Sequence, residues 1–79
     1  MNPAARLRVQ AYQALPRPSE ARACRRRAGL PAALAAKEIG VHKATLLRWE
    51  AGTCKPRGEH VERWARLLAE LADVMEKVS

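Results

Sequence analysis

The sequence predicts an all-α fold, a compact helical bundle, and three observations carry that prediction. Ala is abundant, Phe is absent, and Trp49, Trp64 and Tyr12 are the only aromatics, a profile that favours helices over a β-sandwich. From Val61 onward the apolar residues Val61, Trp64, Leu68, Leu71, Met75 and Val78 recur in alternating steps of three and four, the spacing of a helical seam. Proline and glycine, finally, punctuate the rest of the chain at intervals short enough to separate short helices. The 79 residues suffice for one small domain and no more.

Each element has its own warrant. Pro3 fits the first turn of an N-terminal helix that places Ala4, Leu7, Ala11, Ala14 and Leu15 on one face. Pro16 and Pro18 in "LPRPSE" forbid its continuation, so residues 1–17 read as an N-terminal helix and linker. Ser19 is the expected N-cap of a second helix, with Glu20 favourably placed in its first turn and Gly29 as its stop. "LPAALAAKEIG" predicts a helix of about two turns that restarts at Pro31 and ends at Gly40. After Gly40, Val41 and His42, the next short helix covers Lys43 to Ala51 and stops at Gly52. "GTCKPRG" is a basic loop, and one uninterrupted helix follows from Glu59.

The charge balance narrows the function. Fifteen Lys and Arg against eight Asp and Glu give +7, and such a basic small protein seeks a polyanion. Only Lys77 stands against Glu70, Asp73 and Glu76 in the tail, so the anion is expected to bind elsewhere. Cys24 and Cys54 are too few for a disulfide scaffold and begin no CxxC pattern. His42 and His60 beside Cys54 offer no fourth ligand for zinc, so neither a metal nor any other cofactor is expected. No run approaches the roughly 18 apolar residues of a membrane span, and the long apolar stretch of a signal peptide is missing, so a cytoplasmic or nucleoid location follows, with no membrane partner. No carboxylate pair, nucleophile with base, or Gly-rich phosphate loop points to an enzyme or to a small-molecule substrate.

Two short helices joined by a three-residue turn that contains Gly form a helix-turn-helix pattern, whose second helix enters the major groove of DNA. Gly40 supplies the left-handed residue of the turn, and Ala36 is small enough for the helix crossing. Ile39, Val41, Leu46 and Trp49 fall where apolar residues hold the pair together. That leaves His42, Lys43, Ala44, Thr45, Leu47 and Arg48 turned outward or partly so.

With "RRRAGL", "LAAKEIGV", "TLLRWEAG" and "KPRGEHVERWARLL" in this order, the chain resembles the lambda Cro/CI-type, or XRE-type, helix-turn-helix family over roughly residues 19–71, and most resembles its small phage Cro-type repressors. The N-terminal helix and residues 72–79, an extension of the last helix, lie outside that family core. The resemblance implies base contacts by Lys43, Ala44 and Arg48. The chemistry agrees: Arg48 can donate two hydrogen bonds to guanine, Lys43 can reach a guanine or a phosphate, and Ala44 can touch a thymine methyl. It further implies backbone contacts by Thr45 and by Thr53, Lys55 and Arg57 of the basic loop. His42 stands where the family has a capping Ser or Thr, and is expected to cap poorly and to meet a phosphate instead. Arg26 and Arg27, with Arg22, are further candidates for the backbone, although spacing does not say which face DNA. Family alignment matches Arg25 and Glu50 to a buried ion pair. Two departures stand out: Ala35 replaces a large aliphatic residue, with Leu34 at a usually polar site, and Ala32 replaces a Gln that commonly contacts phosphate.

Set against the readings that need no ligand, Trp49 and Trp64 are core residues by their spacing with Leu46, Val61 and Leu68, and not base-stacking platforms. A charged helix face alone would count as merely solvated; the preceding helix, the Gly turn and the basic loop reverse those odds. The expected function is a transcriptional regulator, a Cro-like repressor of an operator in double-stranded DNA. An antitoxin or restriction-control protein of the same fold is one alternative, and a protein-interaction module docking on an acidic partner is another. The apolar tail seam packs either on Leu7, Ala11 and Leu15 or on a second copy. Intramolecular packing is favoured, giving a monomer or a weak homodimer that completes dimerisation on DNA.

Overall fold

The computed structural model describes residues 2–78, with side chains described through Lys77. Among the described residues the chain forms five helices and no strand: α1 (Pro3–Ala14), α2 (Pro18–Arg27), α3 (Ala32–Ile39), α4 (Lys43–Ala51) and α5 (His60–Val78). The last helix is unbroken, as its periodicity requires.

The core gathers where α2, α3, α4 and α5 meet. Ala21, Ala35, Ala36, Ile39, Leu46, Trp49, Trp64 and Leu68 form one buried cluster, with Leu15, Leu30 and Val41 packed against it. Both indoles are therefore core residues. Ala35 is fully buried in the same cluster as Trp49 and Trp64, while Leu34 points outward, 53% exposed. Val61, Trp64 and Leu68 of the seam are buried, Leu71 and Met75 are half-buried, and the side chain of Val78 lies outside the described ones.

Helix starts differ from expectation at α2 and α3, the latter beginning at Ala32 with Pro31 in the cap position. Ser19 does not cap α2: the cap position falls on Arg17, without a side-chain hydrogen bond, and Pro18 opens the helix. A proline lacks the N–H that a first turn leaves unsatisfied and already holds a helical φ, so it takes the first helical position ahead of Ser19. In α1 the cap is Asn2, whose Oδ1 accepts from the Ala5 N–H at 2.7 Å.

The packing of α1 also differs. Ala4, Leu7 and Ala14 are exposed, Leu7 at 57%, and of the expected face only Ala11 and Leu15 are half-buried. Beside that face Ala5, Arg8 and Tyr12 wall a crevice with Pro56, Arg57 and Val61, near the start of α5. Those residues follow steps of three and four as well, on a neighbouring stripe of the helix. The tail lies by α2, where Ala72, Met75 and Glu76 share a crevice with Cys24 and Arg27.

Candidate nucleic-acid interface

The turn between α3 and α4 depends on Gly40. Its φ of 91° and ψ of 31° are left-handed, and its N–H and that of Val41 both donate to the Ala36 carbonyl, at 2.8 and 3.0 Å. The Ile39 carbonyl, left open at the end of α3, accepts from Arg63 Nη1 at 3.3 Å and lies 3.3 Å from His60 Nδ1. Two residues of α5 thus hold the end of α3, and sequence reading gave neither that role. No local pattern announces it, because the partners are more than twenty positions apart.

Helix α4 buries Leu46, Trp49 and Glu50 and turns Lys43, Ala44, Leu47, Arg48 and Ala51 to solvent. Spacings of one, three, four and five place these exposed residues on a single face. Thr45 is half-buried beside it. Leu47, 39% exposed, is an apolar member of this face to which the sequence assigned no contact; its position four residues after Lys43 was the available signal. His42 occupies the N-cap with extended backbone and makes no side-chain capping bond, so the first N–H groups of α4 remain open around an exposed imidazole. Such an end favours an anion.

At the other end, Gly52 closes α4 at φ 78°. The Arg48 carbonyl accepts from the Thr53 N–H at 3.1 Å and the Thr53 hydroxyl at 3.3 Å, which fixes the first turn of the basic loop. Thr53, Lys55 and Arg57 are all exposed there. Arg22, Arg26 and Arg27 are exposed on α2, with Arg27 also walling the crevice beside the tail.

Beneath this surface Arg25 and Glu50 pair, both buried. Arg25 Nε donates to Glu50 Oε2 at 2.7 Å and Nη2 to Oε1 at 2.9 Å, while Nη1 donates to the Leu30 carbonyl at 2.8 Å. The hydrogen bonds to Glu50 raise the Arg25 pKa above its ordinary value, with burial opposing them and the Glu50 charge adding to them. Among the described residues no buried side-chain nitrogen or oxygen lacks a partner. Nor do three His, Cys, Asp or Glu among them gather as metal ligands. No described helix is long and apolar enough to cross a membrane.

A short supporting helix, a glycine turn and a second helix that keeps a mixed basic face outward define a helix-turn-helix protein. A family model described as a helix-turn-helix domain matches residues 19–77, and the chain belongs to that family of DNA-binding domains. Helix α1 precedes the matched segment. No curated protein and no solved structure matches the chain.

Proposed function

We propose that the protein is a sequence-specific transcriptional regulator of the Cro-like repressor kind, which inserts α4 into the major groove of an operator and blocks access to the promoter. One observation carries the reading: the exposed face of α4 presents Lys43, Ala44 and Arg48 together, while its opposite face anchors the helix through Leu46, Trp49 and Glu50. Arg48 is suited to guanine O6 and N7, Lys43 to guanine or phosphate, and Ala44 to a thymine methyl. His42, Thr45, Thr53, Lys55 and Arg57 border that face and act on the backbone, with Arg26 and Arg27 as outer candidates. The protein works in the cytoplasm of a bacterial host, as a monomer or weak dimer that pairs on DNA.

Selection of bound fragments from a random duplex pool tests the function, followed by binding in rising salt. The reading expects one enriched motif and a log–log salt slope near −0.9 per phosphate contacted. An unenriched pool, or binding to an acidic protein in preference to DNA, would transfer the basic surface to a protein partner. A selected site with two symmetric halves would report pairing on DNA.

A further inference from the structure

We infer that α1, which lies outside the segment matched by the family, extends the DNA-binding surface, and that Arg8 with Arg57 grips a backbone phosphate beyond the edge of the groove occupied by α4. The inference rests on the proposed function and adds a contact to it. Arg8 comes from α1 and Arg57 from the basic loop, yet both wall one crevice together with Ala5, Tyr12, Pro56 and Val61. Both arginines are exposed, and no carboxylate is among the walls. Two arginines supplied by separate elements thus stand at one crevice with no acid among its walls, a local positive charge that an anion would offset.

The surroundings suit a phosphodiester in particular. Tyr12 and Val9 stay 42% and 44% exposed on the same crevice, offering apolar surface to a sugar, and Gln13 adds an amide donor. Residues 1–19 contain Arg6, Arg8 and Arg17 and no acid, so nothing in this segment repels a polyanion. Continuity with the loop selects DNA over other anions. Arg57 belongs to the same stretch as Thr53 and Lys55, which leads directly out of the C-terminal end of α4. Arg57 is itself a wall of the crevice, so a duplex held by that loop is within reach of it, and α1 then lengthens the footprint without reading sequence.

The experiment measures binding to a mixed-sequence duplex of about 24 base pairs as a function of salt, which needs no knowledge of the operator. Wild type, Arg8→Gln and Arg6→Gln are compared; Arg6 is exposed on α1 but is not among the walls of the crevice. Circular dichroism verifies that all three fold. Arg8→Gln is expected to lower the magnitude of the log–log slope by about one, and Arg6→Gln to leave it unchanged. Equal slopes for wild type and Arg8→Gln would overturn the inference alone, as would equal losses for both variants, which would reduce the effect to bulk charge. Failure of the wild type to bind any duplex would overturn the proposed function first. If the NMR signals of the Arg8 and Arg57 side chains then shifted with inorganic pyrophosphate, the crevice would pass from DNA to a free phosphate ligand, against the inference.

Discussion

Arg25 grips both carboxylate oxygens of Glu50, at 2.7 and 2.9 Å, and so ties α2 to the last turn of α4 in the interior of the domain. The bidentate geometry fixes orientation as well as distance, so a buried pair contributes to the pose of α4. Removing one partner leaves a buried charge uncompensated. Arg25→Ala should cost about 3–5 kcal/mol in urea unfolding, and replacing both residues with methionine should cost much less. A loss below about 1 kcal/mol for the single variant would mean that the pair is not what positions α4. The pH behaviour follows from the raised Arg25 pKa. A cation whose pKa is higher in the folded than in the unfolded state contributes fully below the unfolded value, and that contribution fades only as pH climbs through the folded value, beyond the range of ordinary buffers.

Gly40→Ala should destabilise the domain by at least about 1–2 kcal/mol, the cost of a left-handed conformation for a residue with a Cβ. The new Cβ would also stand 3.2 Å from Arg63 Nη1, disturbing the group that donates to the Ile39 carbonyl. Thermal unfolding measures the effect, and an unchanged Tm would show that the turn relaxes freely.

His42→Ser should stabilise α4 by about 1 kcal/mol, because the extended backbone at position 42 already suits an N-cap and only the accepting side chain is missing. If His42 meets a phosphate, the same variant should bind DNA more weakly while unfolding at higher urea. Gains in both properties would assign His42 no part in binding.

Lys55→Gln should weaken binding to every duplex alike and reduce the salt slope by about one. A loss confined to one base pair would move Lys55 from backbone to base recognition. Competition titrations on unrelated duplexes make the distinction.

The bounds of α4 were legible in sequence because Gly52 stands at its end and Gly40 opens a turn of fixed length before it, so chain and structure agree on Lys43 to Ala51. Its exposed face was legible for the same reason: once the apolar positions Leu46 and Trp49 are placed, helical geometry directs Lys43, Ala44 and Arg48 outward. Ser19 was misread as a cap because capping preference was weighed without the stronger fit of Pro18 at the first helical position. The face of α1 was legible in part: Ala11 and Leu15 are half-buried as expected, whereas Leu7 is exposed, and the crevice beside that face is closed by Pro56 and Val61, distant in sequence. The clasp of Arg63 and His60 on Ile39 was hidden by the same separation in sequence.

The central claim is that Arg48 reads a base from the exposed face of α4. Its most direct test compares wild type and Arg48→Ala on the selected binding site and on every single-base-pair variant of it. The account predicts a loss of roughly 1 to 3 kcal/mol on the selected site, with discrimination relaxed at one base pair and kept at the others. A loss spread evenly over all the duplexes would contradict it by making Arg48 a phosphate contact, and an unaltered binding profile would take recognition away from this helix face.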